Sequence, residues 1–142
     1  MQEYFPLIII FFIFFSVFLF FMFSRDWKKL AEFYRTKELP PEDIHNFEFG
    51  SIGMTYYRGS LSIGISPKGL YLRLVPLLNF GLEPLLIPWN HIKNIESANS
   101  IFAEQVYIFP TSSDIKITIR KKVLDSAQKY LTENGINWGN NN

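Results

Sequence analysis

Hydrophobic residues dominate the beginning of the chain. Residues 5 to 23 carry no charge, and only Pro6 and Ser16 among them are not plainly apolar. As a helix at about 1.5 Å per residue, this run reaches about 28 Å, close to the thickness of the hydrocarbon core of a bilayer. Backbone groups in lipid must pair within their own segment, which favours a helix. The pattern predicts one transmembrane helix, with the lipid bilayer as the partner of residues 5 to 23.

A cleaved signal peptide is the main alternative for this run. Signal peptides have a basic start, a shorter apolar core and a small-residue cleavage site. Here Glu3 is the only charged residue before the run, and no small-residue pattern follows Phe23. A buried core helix is less favoured still, because no other segment can cover the phenylalanines on all faces. We therefore favour a retained anchor.

The pattern stays helical beyond the apolar run. Trp27, Leu30, Ala31 and Tyr34 fall at i, i+3, i+4 and i+7, which indicates one face of an amphipathic helix over residues 25 to 37. Interfacial aromatic and basic side chains anchor helices at the lipid headgroups. The candidate membrane-surface residues are therefore Arg25, Trp27, Lys28 and Lys29. Leu39-Pro40-Pro41 is expected to end the helix, with a connector over residues 38 to 50.

After the connector the hydrophobic period changes from 3.6 to 2. Two alternating runs flank Ser66-Pro67-Lys68-Gly69, a tight-turn sequence with proline second and glycine fourth. This predicts a β-hairpin. Its apolar side chains are Leu61, Ile63 and Ile65 on one strand, and Leu70, Leu72 and Leu74 on the other.

Further short strands and a final helix complete the predicted domain. Strands are expected at 85–87, 92–95, 105–109 and 114–120, with Ile115, Ile117 and Ile119 facing inward. Val123, Leu124, Ala127, Tyr130 and Leu131 form a helical apolar stripe that ends at Asn134-Gly135. The predicted fold class is membrane-anchored α+β: one transmembrane helix, then a mostly antiparallel barrel or sheet capped by a C-terminal helix. Six or seven strands followed by one helix is the order of pleckstrin-homology-like (PH-like) and GRAM-like domains.

These elements divide the chain into four predicted parts. They are an anchor at 1–24, a juxtamembrane helix and linker at 25–49, a PH-like β domain at 50–135, and a flexible tail at 136–142. Five Lys and Arg residues lie between 25 and 37 and none precedes the run. The positive-inside rule then places the N-terminus outside and the C-terminal domain in the cytoplasm.

Residues 75 to 92 hold the candidate contact surface. The segment 75–84 is apolar but interrupted by Pro76, Gly81 and Pro84, which indicates a packed loop or an exposed patch. The sequence LLIPWNHI, residues 85 to 92, is interpreted as a strand end, a packed tryptophan and a turn rather than a catalytic fragment. The candidate partner contacts are Leu77, Leu78, Phe80, Leu82 and Trp89.

The residues available for chemistry argue against catalysis. The chain has no cysteine, and its two histidines, His45 and His91, lie far apart without a carboxylate cluster. No phosphate loop, dinucleotide fingerprint or nucleophile elbow is present. All fourteen basic residues, but only twelve of the thirteen acidic ones, follow the apolar run. This balance gives no footprint for nucleic acid. We therefore expect no enzyme activity, cofactor or metal.

Several segments together resemble a family of small bacterial membrane-anchored proteins without a characterised activity. They are W-K-K-L-A-x-x-Y at Trp27–Tyr34, Y-x-G-x-L-x-I-G-I-S at Tyr57–Ser66, G-L-Y-L at Gly69–Leu72, and L-L-I-P-W-x-x-I at Leu85–Ile92. The resemblance covers residues 27 to 92 and implies a cytoplasmic PH-like domain. That family tends to have an acidic residue where this chain has His91, which argues against an essential His91.

Three functions follow from this organisation. The first is a single-pass module of the inner membrane whose cytoplasmic domain binds a protein or peptide at the membrane face. The second is recognition of anionic lipid headgroups, for which Arg58, Lys68 and Arg73 form a sparse basic set. The third is a small accessory subunit of a membrane complex, with the phenylalanine-rich helix as its interface.

Overall fold

A computed structural model describes residues 3–76, 81–98 and 104–136. Within these residues there are three α-helices, seven strands and a 3₁₀ turn. The helices are α1 (Phe5–Tyr34), α2 (Lys121–Asp125) and α3 (Gln128–Glu133). The strands are β1 (Asp43–Ile52), β2 (Thr55–Ile65), β3 (Gly69–Leu74), β4 (Leu85–Pro88), β5 (Ile92–Ala98), β6 (Gln105–Pro110) and β7 (Ile117–Arg120), and the 3₁₀ turn is Trp89–His91.

The strands form one antiparallel sheet in the order β4-β3-β2-β1-β7-β6-β5. If the sheet were flat, its edge strands β4 and β5 would lie about 29 Å apart at the usual strand spacing. Only the turn Trp89–His91 separates them in sequence. Four residue steps span about 14 Å at most, so the sheet must curl until its two edges approach each other. It is a half-barrel, open between β4 and β5.

The predicted hairpin is confirmed as β2 and β3. Leu61, Ile63 and Ile65 pair with Leu74, Leu72 and Leu70. The turn between them closes with two backbone hydrogen bonds, from Ser66 N to Gly69 O at 3.2 Å and from Gly69 N to Ser66 O at 3.3 Å. These leucines and isoleucines lie in the core.

Helix α1 runs without a break from the apolar segment into the core of the domain. Every large apolar side chain from Phe5 to Phe18 is exposed. Beyond the run, Trp27, Leu30 and Tyr34 are fully or almost fully buried in the same cluster as the sheet residues. At its end the chain follows strand β4: Arg35 forms a β-bridge with Leu85, and Thr36 N donates to Pro84 O at 2.9 Å. We call the described residues between 24 and 136 the folded domain.

Two predictions about element bounds are wrong. The connector over residues 38 to 50 is instead largely strand, because β1 begins at Asp43. A register shift between His45 and Glu48 adds one residue to β1, and beyond it Glu48 and Gly50 rather than the phenylalanines face inward, which hides the strand from a hydrophobic period-2 pattern. The segment 25–49 is likewise not a separate helix and linker, because its helix is part of the core.

The C-terminal helix is divided into two. Ser126 Oγ donates to Val123 O at 2.8 Å, and Ala127 N donates to Leu124 O at 2.8 Å, which ends α2. The predicted apolar stripe still packs as expected, with Val123, Leu124, Ala127 and Leu131 buried. The predicted stop at Gly135 is confirmed by its φ of 75° and by the hydrogen bond from Ile136 N to Leu131 O.

Candidate interaction surfaces

The turn Trp89–His91 crosses the open side of the half-barrel. Trp89 is 2% exposed, and its ring stacks on Tyr130 of α3 with centroids 5.9 Å apart and planes 12° apart. Its indole Nε1 donates to Ser66 O at 2.7 Å. The structural interpretation of LLIPWNHI is therefore confirmed, because the tryptophan joins β4, the β2–β3 turn and α3. The prediction of a partner contact at Trp89 is wrong, since the ring is enclosed.

The contact between α1 and the sheet is built around Trp27, whose exposed fraction is 0%. Its Nε1 donates to Glu83 O at 2.8 Å, and its ring meets that of Tyr57 edge-on at 5.9 Å. Trp27 was predicted to contact the membrane surface, and this burial removes it from that set. The tryptophan fills the core because the amphipathic stripe of α1 faces the sheet.

The β1–β2 turn lies against the same part of α1. Met54 N donates to Asp26 Oδ2 at 2.9 Å, and Gly53 N donates to Lys116 O at 2.7 Å. Gly53 has a φ of 61°, and a Cβ at this position would collide with the carboxylate of Asp26. Burial, and secondarily the charge of Asp26, raises the pKa of the nearby Tyr57 to about 12. The turn is thus held by two other segments, α1 through Asp26 and the residues before β7 through Lys116.

An exposed aromatic face lies on the outer side of β1 and β2. It comprises Phe47, Phe49 and Tyr56, all of which are exposed. Tyr56 pairs with Ser51, so it shares a sheet face with Phe49, two residues away on β1. Phe47 lies at the first register shift and has a φ of 59°, the one positive φ among the described non-glycine residues. Holding such a residue in the left-handed region costs about 1–3 kcal/mol.

A groove of about 480 Å³ lies beside the β2–β3 turn. Leu39, Pro41, Pro67, Tyr71 and Leu86 line it, and an ion pair between Lys68 Nζ and Glu38 Oε1 at 2.6 Å closes one side. Burial raises the pKa of Tyr71. Since Lys68 is paired with Glu38, it adds little positive charge for a lipid headgroup, and this weighs against the predicted basic set.

Glu48 and Arg120 form the best-defined ion pair. Arg120 Nε and Nη2 donate to the two carboxylate oxygens of Glu48 at 2.8 and 2.9 Å. The hydrogen bond to Glu48 raises the pKa of Arg120. Glu48 is buried on β1, so the pair joins β1 to the end of β7 and serves the sheet rather than a ligand.

The two histidines occupy separate places. His45 Nε2 lies 3.1 Å from Asp43 Oδ1, while the His91 ring packs edge-on against Tyr34 at 5.8 Å. Within residues 3–76, 81–98 and 104–136, no three His, Asp or Glu side chains are grouped closely enough to hold a metal ion.

The remaining predicted contact residues differ in their placement. Arg25, Lys28 and Lys29 are exposed on α1, as a membrane-surface contact requires. Leu82 is half-buried and packs against the core. Leu77, Leu78 and Phe80 lie outside the described residues, and their role stays a prediction. The aromatic face was missed because β1 was interpreted as a connector; the F-x-F spacing of Phe47 and Phe49 was the available signal.

The most apolar part of α1 has a mean hydropathy of 2.9 and is 7% buried in the structure. This length and composition are sufficient to cross a membrane, although signal sequences share them. The exposure shows that the described chain does not enclose the segment as a core helix.

The comparisons with known proteins concern the fold alone. The structure resembles a PH domain from PfAPH, with a TM-score of 0.44 and 13% sequence identity, over 78% of this chain and 89% of that one. No family model matches the sequence, and no curated protein matches it. The order of an N-terminal helix, a curled seven-stranded antiparallel sheet and C-terminal helices agrees with the order of elements predicted from the sequence.

Proposed function

We propose that the protein is a single-pass membrane protein whose PH-like domain binds a protein or peptide partner at the cytoplasmic face of the inner membrane. The continuity of α1 is the observation that carries this proposal. One helix presents exposed apolar side chains from Phe5 to Phe18 and then enters the core through Trp27 and Leu30. Lipid is the solvent that covers such a segment at low cost. The basic residues that follow the apolar run support a cytoplasmic domain.

A binding role is supported over a catalytic one by the electrostatics of the described residues. Burial raises the pKa of Tyr57 and of Tyr71, and the ion pair with Glu48 between strands raises the pKa of Arg120. Catalytic sites usually bring together titratable groups whose pKa values are moved toward their task. The large groove beside Tyr71 is mostly apolar and carries one paired Lys and Glu.

The aromatic face is the surface that we assign to the partner. Phe47 is 71% exposed, and the chain holds it there at the cost of a positive φ. Exposed aromatic side chains are enriched at protein interfaces, where they bury large areas with few rotatable bonds. Phe49 and Tyr56 extend the same face across two strands. A partner segment with apolar side chains is the ligand that fits this surface.

Photo-cross-linking in native membranes tests this function. A photoreactive phenylalanine analogue replaces Phe49, and a matched analogue replaces Leu39, which is exposed elsewhere on the domain. We expect one discrete protein adduct from position 49, reduced by Phe47→Ser and absent from position 39. The adduct should persist when an unrelated apolar helix replaces residues 5 to 23.

Other outcomes of this experiment separate the alternatives. An adduct that is lost with the anchor swap but unchanged by Phe47→Ser would favour the accessory-subunit function. Lipid adducts without protein adducts would favour headgroup binding. Equal adducts at positions 39 and 49 would contradict the aromatic face as the contact surface.

A further inference from the structure

Two segments of the folded domain reach the first turns of α1 beyond the apolar run. Ser24 is the first residue after that run, and it is only 2% exposed. Met54 of the β1–β2 turn donates its backbone N–H to Asp26, and the segment before β4 accepts from Trp27 through Glu83 O. The domain therefore extends down α1 to the level at which the apolar residues end.

This contact sets the height of the β1–β2 turn above a membrane. Asp26 lies three residues after Phe23, about 4.5 Å along a helix. The headgroup layer is about 5–7 Å deep on each side of the hydrocarbon core. If residues 5 to 23 span the bilayer, the backbone of Met54, at 2.9 Å from Asp26 Oδ2, lies at the depth of the headgroups.

The side chain of Met54 is apolar and 97% exposed, so the described part of the domain leaves it almost uncovered. Its backbone is held firmly, because Gly53 packs against Asp26 and donates to Lys116 O. Methionine is flexible and adapts to irregular apolar surroundings. Asp26, which binds this turn, lies between the exposed residues Arg25 and Lys28 in the sequence of α1. Basic side chains at this level attract anionic headgroups.

We propose that the β1–β2 turn, residues 52 to 55, is a second membrane contact and that Met54 inserts between lipid headgroups beside α1. This inference rests on the proposed anchoring of α1 and names an additional surface with lipid as its partner. A single helix leaves a domain free to rotate and tilt about its axis. A contact at Met54 fixes that orientation and holds the aromatic face in one direction relative to the membrane.

Fluorescence quenching in vesicles tests the proposal, because the chain has no cysteine and a single introduced thiol can be labelled uniquely. The full-length variants Phe18→Cys, Met54→Cys and Leu39→Cys are labelled with a polarity-sensitive fluorophore. They are reconstituted into phosphatidylcholine–phosphatidylglycerol vesicles that carry nitroxides on the headgroup or on the acyl chain. Leu39 is the matched control. It is exposed, and it follows the end of α1 at Tyr34, which lies about 16 Å along the helix axis from Phe23.

We expect the acyl-chain nitroxide to quench the Phe18 label, and the headgroup nitroxide to quench the Met54 label several-fold more than the Leu39 label. A Phe18 label that escapes quenching would overturn the anchoring and this inference together. Quenching at Phe18 with equal quenching at Met54 and Leu39 would overturn this inference alone.

Cross-linking of the unsubstituted chain to a photoactivatable lipid removes any influence of the fluorophore. Lipid adducts on residues 52 to 55 support the contact. Adducts confined to α1 overturn it.

Discussion

The indole nitrogen of Trp27 donates a hydrogen bond to the backbone oxygen of Glu83 at 2.8 Å, across 56 residues of sequence. The donor belongs to α1 and the acceptor to the segment that leads into β4. Because Trp27 is also fully buried, the helix that carries the apolar run is a structural part of the sheet domain. The stability of the domain should therefore depend on residues 24 to 34.

A truncation series tests this dependence. We expect a fragment beginning at Ser24 to fold and one beginning at Arg35 to remain unfolded, as judged by near-ultraviolet circular dichroism. The shorter fragment lacks Trp27, Leu30 and Tyr34, and each buried side chain of this size contributes about 1.5–3 kcal/mol. Their sum is comparable to the whole stability of a small domain, about 5–15 kcal/mol.

The single variant Trp27→Ala in the full-length protein complements the series. It should lower the free energy of unfolding by about 3–5 kcal/mol. Phe33→Ala is the control, since Phe33 is exposed on the same helix. Equal effects of the two variants would contradict the burial of Trp27 as the stabilising contact.

Replacing Gly53 with alanine should destabilise the β1–β2 turn. Gly53 and Gly135 both have positive φ, 61° and 75°, but a Cβ collides with Asp26 only at Gly53. Alanine in the left-handed region costs about 1–2 kcal/mol at either position. We expect Gly53→Ala to cost more than Gly135→Ala in denaturant unfolding, and equal costs would show that Asp26 moves aside freely.

Trp89→Phe removes the hydrogen bond at the β4–β5 crossing while keeping most of the aromatic packing. The phenylalanine keeps an aromatic ring against Tyr130 but loses the donor to Ser66 O. The lost hydrogen bond costs about 0.5–1.5 kcal/mol and the smaller ring adds a packing loss, so we expect a total below the about 3–5 kcal/mol of Trp89→Ala. Thermal unfolding of both variants measures the difference, and a Phe variant as unstable as the Ala variant would contradict this partition.

Removing Arg120 should cost more than removing both partners of its ion pair. Arg120→Met leaves the buried carboxylate of Glu48 without its guanidinium. Arg120 is partly exposed, so the expected loss is about 1–3 kcal/mol, below that of a fully buried pair. The double variant Glu48→Gln with Arg120→Met should recover part of this loss in urea unfolding.

Ionisation of the Tyr57 phenol should lower the free energy of unfolding at high pH. Its pKa is raised from 10.0 to about 12 in the folded protein, so the folded state retains the phenolic proton more strongly than the unfolded state. This contribution is fully present below pH 10.0 and is lost as the pH rises toward about 12. Tyrosinate absorbance should show a midpoint near 12 that is absent from Tyr57→Phe, and an identical titration of the variant would contradict the shift.

The hydrophobic pattern predicted the secondary structure correctly where one periodicity continued over a whole element. Alternation over residues 60 to 74 and the Pro67 turn identified the β2–β3 hairpin, and the inward isoleucines of β7 were also correct. The helical stripe of Trp27, Leu30 and Tyr34 was recognised, but not the surface it faces. An apolar helical stripe beside basic residues can pack against a membrane surface or against a sheet. Only the tertiary structure shows which of these two contacts it makes.

Local irregularities explain the parts that the pattern missed. The alternation of β1 is inverted: Glu48 and Gly50 face inward while Phe47 and Phe49 are exposed, so the strand resembled a connector and the aromatic face went unnoticed. Thr118 alternates with the inward Ile117 and Ile119, yet it is buried on a strand that lies between β1 and β6. At the break between α2 and α3, the Ser126 hydroxyl bonds to Val123 O and Ala127 N bonds to Leu124 O, contacts that the helical stripe does not reveal.

The buried end of α1 also affects biosynthesis. In an anchored chain, translation delivers residues 24 to 34 before any of the strands, while the sheet is completed only after β7 has been synthesised and pairs with β1. Trp27 and Leu30 are then exposed apolar side chains at the bilayer surface until the strands pack against them. The domain would mature on the membrane, with its own anchor as the template for folding.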